Sequence, residues 1–232
     1  MCQQLWNSWD EDAVVMDRPN AIFVDASKVR RIEFEGRFYK SRGPLNVVRS
    51  PQNGPALIQA GSSPKGIDLA AQYADAVFAI HPRAEDAASY YADVKNRMTA
   101  FRRNADDCAI LFGVQPIIGE SEAEALEKQE EHNNLVPVDG GMALLSGHLN
   151  FDLSALSPDD EMISRTEPEL QRARRVYRKE NGESMTVSEV AQRHGQSVGL
   201  PQFVGTLSSV ADQLEAFFDR IGGDGFMLSP IY

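Results

Sequence analysis

The chain has 232 residues, 42% of them hydrophobic and 25% charged, which suits an ordinary globular protein. Its formal net charge is -11, so a nucleic-acid or anionic-membrane partner is not expected, because phosphate surfaces are held by clustered lysine and arginine. An anionic cofactor remains open, since backbone amides at a helix start supply their own local field. Cys2 and Cys108 are the only cysteines, and neither has a His or Cys nearby at metal-ligand spacing. With no charged-then-apolar leader and no apolar run long enough for a bilayer, a reduced, cytoplasmic protein without a metal is the expectation.

The first nine residues, Met1 to Trp9, read as the last turns of an amphipathic helix with no cap before it. Phe34, Phe38 and Tyr39 around Gly36 suggest a short hairpin, and Arg42 to Val47 an extended segment. From Pro55 the pattern becomes regular. Ala56–Ala60 is a strand, followed by a helix over Pro64–Ala74 with Ser63 as N-cap and Ile67, Ala70, Ala71 and Ala74 on one face. Ala76–Ile80 is a second strand, and Ala84–Phe101 a longer helix with a stripe at Ala87, Tyr91, Val94, Met98 and Phe101. Cys108–Ile118 holds a third strand, which the Gln115-Pro116 pair interrupts because proline removes a ladder hydrogen bond; a strand end is expected there, and a bulge that re-aims Gln115 toward the pocket is the functional alternative. A helix follows over Ser121–Glu131. Thr206 caps a late helix with its stripe at Val210, Leu214, Phe217, Phe218 and Ile221; Gly222-Gly223 stop it, and Phe226–Ser229 form a fourth strand.

Strands alternating with helices mean parallel βα units. Residues 139–204 interrupt that rhythm as an insertion, with helical segments at Glu167–Arg178 and Val187–His194. Nothing after the fourth strand covers its outer face before Tyr232, and a parallel sheet needs both faces covered. The sequence therefore reads as cut at both ends, part of a larger barrel.

The strongest local feature is the junction Gln59-Ala60-Gly61-Ser62-Ser63-Pro64. A strand running into a helix start through glycine and two serines directs backbone N–H groups and two hydroxyls at one spot, which suits a phosphate. Ser63 also serves simply as a helix cap, and the two duties are compatible.

Five blocks in order, Leu5–Trp9, Phe38–Val47, Leu57–Ser63, Gly113–Gly119 and Val204–Thr206 leading to Asp224–Leu228, resemble the bacterial luciferase-like FMN-dependent monooxygenases, in the group of the nitrilotriacetate and dibenzothiophene-sulfone enzymes. The resemblance implies an α/β fold, a partial (β/α)8 TIM barrel comprising roughly strands five to eight, with 1–232 a single incomplete barrel domain. It implies FMN, reduced by a separate flavin reductase, and O2 as co-substrate for oxidising a small organic molecule at a C–N, C–S or similar centre. The FMN phosphate then falls to Ser63 first, followed by Ser62 and the backbone at Ala60 and Gly61. Gln59, at the strand's carboxyl end, either touches the ribityl chain or is satisfied by a neighbouring backbone group. Residues contacting the isoalloxazine come mainly from the other half of such barrels, so no catalytic residue is nominated. A homo-oligomer is expected for the intact protein. Two alternatives stay open: an inactive fragment of such an enzyme, or a non-catalytic half-barrel binding or regulatory module.

The histidines carry less. His81 follows the second strand, where a histidine could serve as a general base, but it stands where relatives more often have glutamine and reads as a surface residue before Pro82; His132 and His148 read as solvated loop residues rather than ligands. Arg172, Arg174 and Arg175 form a basic run on a helix, a solvated face or an intersubunit ion-pair site. Thr186 to Gly195 imitates the first half of a helix-turn-helix, but Gly199 and Pro201 would break the recognition helix.

Overall fold

The computed structural model describes residues 1–177, 179 and 183–231. The expected helix end at Arg178, the terminal Tyr232 and the side chains of Arg172 and Arg175 lie outside the described residues. The chain divides into two units, Met1–Ala56 and Leu57–Tyr232.

The first unit holds helix α1 (Cys2–Trp6), the antiparallel pair β1 (Val14–Asp17) and β2 (Ile22–Val24), and a second antiparallel pair, β3 (Phe34–Glu35) and β4 (Lys40–Ser41), around Gly36. Its sequence blocks are stapled together by polar bonds. The buried Ser8 hydroxyl donates to the Leu5 carbonyl (2.6 Å) and accepts from the Leu45 N–H (3.0 Å), while Trp9 Nε1 donates to the Leu45 carbonyl (2.8 Å).

The second unit carries the parallel sheet. β5 (Ile58–Ala60), β6 (Ala76–Ala79) and β7 (Ala109–Ile118) pair in sequence order with register Ile58↔Ala76↔Ala109. β8 (Gln202–Gly205) and β9 (Gly225–Leu228) both pair with β7, also in parallel. Helices α2 (Pro64–Tyr73), α3 (Ala84–Ala100), α4 (Glu122–Asn134) and α8 (Leu207–Ile221) follow β5, β6, β7 and β8. The fold is thus α/β, a partial (β/α)8 barrel. Its core packs the expected faces of α2 (Ile67, Ala70, Ala71, Ala74) and of α8 (Val210, Phe217, Ile221) against Val77, Ile110, Phe112 and Val114.

Three details differ from expectation. On α3 the buried aromatic is Tyr90 rather than Tyr91, and Phe101 is exposed, because the buried row runs Ala84, Ala87, Tyr90, Val94, Met98. β7 does not end at Pro116; it continues to Ile118 against a strand, β8, that the sequence did not announce. The odd-numbered N–H groups of Gln115 and Gly119 donate to Pro201, just before β8, and to Gly205 on β8. Proline's missing donor faces the opposite side, two residues beyond the last registered pair with β9, Val114↔Leu228, so no ladder bond is lost.

Between α4 and β8 the chain builds a second cluster from α5 (Val138–Leu149), α6 (Gln171–Val176), α7 (Val187–Ser197) and three short 3-10 turns. α5 was not expected, because its glycines read as loop punctuation. They serve close packing: a Cβ on Gly141 would lie 2.5 Å from the Ala191 carbonyl oxygen, and one on Gly195 2.6 Å from Val136 Cγ1. Glu167–Arg178 is not one helix but a 3-10 turn at Pro168–Leu170 leading into α6. Arg174, from the basic run, is used locally, donating to the carbonyls of Arg165 and Glu167.

The amino end of the sheet is pinned by Asp224, whose carboxylate accepts from the Ile110 N–H (2.8 Å) and from Tyr91 Oη (3.2 Å) and pairs with Lys95 Nζ at 2.9 Å. Lys95 also donates to the carbonyls of Ala105 and Cys108. Asp224→Ala strands a partly buried N–H and a mostly buried ammonium. It is expected to lower unfolding stability by about 1–2 kcal/mol, read from the urea midpoint, with Asp224→Asn losing less because an acceptor remains.

Candidate functional site

Parallel strands place all their following helix starts at one rim, and that rim is where sites form in barrels of this kind. α2 begins there. Ser63 is its N-cap, with Oγ accepting from the Gly66 N–H at 3.1 Å, and Pro64 occupies the first turn. Gly61 takes φ +129, a backbone open to glycine, and its carbonyl accepts from Tyr90 Oη at 3.2 Å. Gln59 folds back, its Nε2 donating to the Ala60 carbonyl at 3.0 Å. Gly66 leaves room for both side chains: a Cβ there would meet Ser63 Oγ at 3.1 Å and Gln59 Nε2 at 3.2 Å.

Ala60, Gly61 and Ser63 are exposed and Ser62 half-buried. Among the described residues, neither serine donates its hydroxyl to a protein acceptor. The other helix starts on this rim are already met by carboxylates. α3 has Glu85 and Asp86 in its first turn, α4 has Glu122 and Glu124, and Glu122 Oε1 also accepts from the Thr206 N–H (3.2 Å) that opens α8. The first turn of α2 contains no acidic residue. Its positive helix end is therefore available to an outside anion. The helix itself is held in place at its far end by Arg103, which donates to the carbonyls of Ala70, Ala71 and Ala74, and along its side by Arg97 bridging Asp68 and Asp93.

Tyr90 connects this turn to the next strand. Its ring lies 4.9 Å from that of His81, which is also 6.2 Å from Phe112. His81 is thus half-buried against two aromatics instead of standing on the surface. Burial, with smaller contributions from Cys108 and Asp93, pushes the Tyr90 phenol up to about 12, so it stays a donor to Gly61 throughout the neutral range.

Beside His81, Ile80 and Pro82 line a cavity of about 260 Å³ whose other walls include Leu145, Leu149 and Val176. Three polar side chains meet there. His148 Nδ1 lies 2.8 Å from His194 Nε2, and His194 Nδ1 lies 2.5 Å from Tyr177 Oη. His148 is exposed, but on helix α5 rather than a loop, and is bonded to another ring; His132, likewise on a helix, meets the Gln196 carbonyl at 2.9 Å. The sequence reading missed the Tyr177–His194–His148 cluster. The signal was the α7 stripe Val187, Val190, Ala191, His194, whose spacing puts the histidine on the buried face. Gln115 is not in this cavity; it is buried and accepts from Gln202 Nε2 at 2.8 Å. After Ser197 the chain turns at Val198 and Gly199, so no recognition helix follows α7.

The profile of the luciferase-like monooxygenases matches residues 2–225, and the chain belongs to that family. It is 37% identical to dibenzothiophene-sulfone monooxygenase of Rhodococcus erythropolis over 99% of its own length and 52% of that protein's. It is 35% identical to nitrilotriacetate monooxygenase component A of Aminobacter aminovorans, over 99% of this chain and 51% of the relative. Among solved structures, a riboflavin lyase bound to modified FMN and riboflavin superposes with a TM-score of 0.83 at 26% identity, covering 98% of this chain and 50% of that one. The chain spans about half the length of the curated relatives it matches.

Burial of the Tyr90 phenol makes stability fall at alkaline pH. A phenol raised above its unfolded value of about 10 favours the fold fully below that pH, and the contribution is lost as pH climbs to about 12. Tyr90→Phe should remove this part of the decline in the denaturation midpoint, measured against pH. The part due to Cys108, whose thiol burial also pushes up, should remain.

Proposed function

We propose that this stretch is the phosphate-holding half of an FMN-dependent monooxygenase, an oxidoreductase that uses reduced FMN and O2 to oxidise a small organic substrate. Under this reading residues 1–232 are one incomplete barrel domain with 139–204 as its insertion. The observation that carries it is the carboxylate-free start of α2, with the Ser62 and Ser63 hydroxyls free to donate. The luciferase-like family and a superposable structure that holds FMN support a flavin as the anion's bearer.

The residues fit the group. Ser63 and Ser62 would hold the phosphate through their hydroxyls, the Gly61 backbone would permit close approach, and Gln59 would be the side chain offered to the ribityl chain. Tyr90 occupies the Gly61 carbonyl as a hydrogen-bond donor. Reduced FMN, when bound, supplies the activation of O2. The apolar walls of the neighbouring cavity exclude water and hold the substrate, with His148 as its polar contact. The name of the nitrilotriacetate relative, component A, supports a two-component system in which a separate flavin reductase delivers the cofactor. The remaining half of the relatives has no counterpart in these residues, so the stretch alone binds but does not turn over. A cytoplasmic setting and a homo-oligomeric whole enzyme complete the reading; no helix among the described residues is long and apolar enough to cross a membrane.

Flavin titration followed by fluorescence tests it, with riboflavin as the phosphate-free control. Ser63→Asp keeps a good N-cap but opposes the phosphate charge. It should weaken FMN at least about tenfold, equivalent to roughly 1.4 kcal/mol, leave riboflavin binding unchanged, and barely move thermal stability. FMN binding that ignores Ser63→Asp would overturn the assignment.

A further inference from the structure

The cavity holds one polar device that the proposed flavin chemistry does not by itself require. Tyr177, His194 and His148 form a continuous hydrogen-bonded row, with separations of 2.5 Å and 2.8 Å, and all three line the cavity. They come from separate elements: Tyr177 is the residue closing α6, His194 is on α7 and His148 on α5. His194 is buried, 7% exposed, while His148 is exposed. Gly199, at φ +82, makes space for the phenol: a Cβ there would meet Tyr177 Oη at 3.2 Å.

We infer that Tyr177 and His194 are positioning residues that fix the tautomer of His148, holding its proton on Nε2 so that the cavity is offered a hydrogen-bond donor. A neutral imidazole has one donor nitrogen and one acceptor. The phenol O–H is a much stronger acid than a neutral imidazole N–H, so Tyr177 donates to His194 Nδ1. His194 then carries its hydrogen on Nε2 and donates it to His148 Nδ1, which leaves the His148 hydrogen on Nε2. A doubly protonated His194 gives the same result, because its Nε2–H again donates to His148. Only the reverse arrangement, with His194 Nδ1 donating to the phenol oxygen, would leave His148 Nε2 bare. His148 Nε2 has no protein partner among the described residues, so this hydrogen is free for a ligand.

That the ligand is the oxidised substrate rests on the proposed function; the tautomer does not. The donor suits a substrate with an apolar body and one acceptor oxygen, or a group that gains negative charge as it reacts. Tyr177 and His194 need not touch that substrate, and their effect passes through His148.

The test is a two-bond 1H–15N correlation spectrum of the chain labelled with 15N-histidine, at a pH of about 8 where unperturbed histidines are neutral. His148 should show the Nε2–H tautomer as its predominant neutral form, with a small Nδ1–H fraction. In Tyr177→Phe the donor to His194 is lost, and the Nδ1–H form of His148 should rise severalfold while far-UV circular dichroism stays unchanged. A wild-type His148 carrying its proton on Nδ1 overturns the inference, as does an identical tautomer ratio in wild type and folded Tyr177→Phe. If the variant fails to fold, the wild-type spectrum alone decides. The spectrum needs no flavin, so a failed FMN titration would refute the flavin reading without touching this one.

Discussion

Parallel pairing is the constraint from which the rest of this unit follows. When β5, β6, β7 and β8 run the same way, the starts of α2, α3, α4 and α8 must gather at one rim, each with unpaired N–H groups. The chain satisfies these starts in two ways. Hydroxyl caps serve three of them: Ser63 Oγ accepts from Gly66, Ser121 from Glu124, and Thr206 from Ser209. Carboxylates reinforce α3, α4 and α8 but not α2. A protein with formal net charge -11 thus retains, among the four helix starts on this rim, one whose field is not neutralised by a carboxylate. Net charge speaks about distant partners; an anion at close range responds to the last few ångströms.

Much of this was legible in the sequence because it depends on local rules. Ser63-Pro64 marks a helix start whatever surrounds it, and the 3.6-residue period of Ile67, Ala70, Ala71 and Ala74 names the buried face directly. The same holds for Thr206 and the Gly222 stop of α8. The failures share a different cause. Pro116 ends a strand only if its nitrogen faces a partner, and that depends on where β9 stops, more than a hundred residues further on. His81 is half-buried because Tyr90 and Phe112 arrive from other elements. Spacing along the chain does not encode these meetings.

The region between α4 and β8 shows how one pattern supports two readings. Small residues at Ala191 and Gly195 imitate the tight corner of a DNA-binding motif, yet their smallness is consumed in the approach of α7 to Gly141 on α5 and to Val136. The Thr186–Glu189 capping box, real in both readings, fixes where α7 begins and hence its rotational phase. That phase places Val187, Val190 and Ala191 in the second cluster and brings His194 to the cavity wall. The close helix crossing and the histidine row are therefore consequences of one register.

In the order β5-β6-β7-β9, the outer sides of β5 and β9 have no strand partner among the described residues. The side chains there are apolar and open: Ile58 is 69% exposed on β5 and Leu228 61% on β9. Exposed parallel edges of this kind are unusual, because their N–H and C=O groups invite pairing, and a closed barrel removes them altogether. The two edges thus carry the chemistry for continuing the sheet in both directions, and the carboxylate-free start of α2 comes directly after one of them. Strands added beside β5 would bring their own carboxyl ends to the same rim as Gly61 and Ser63.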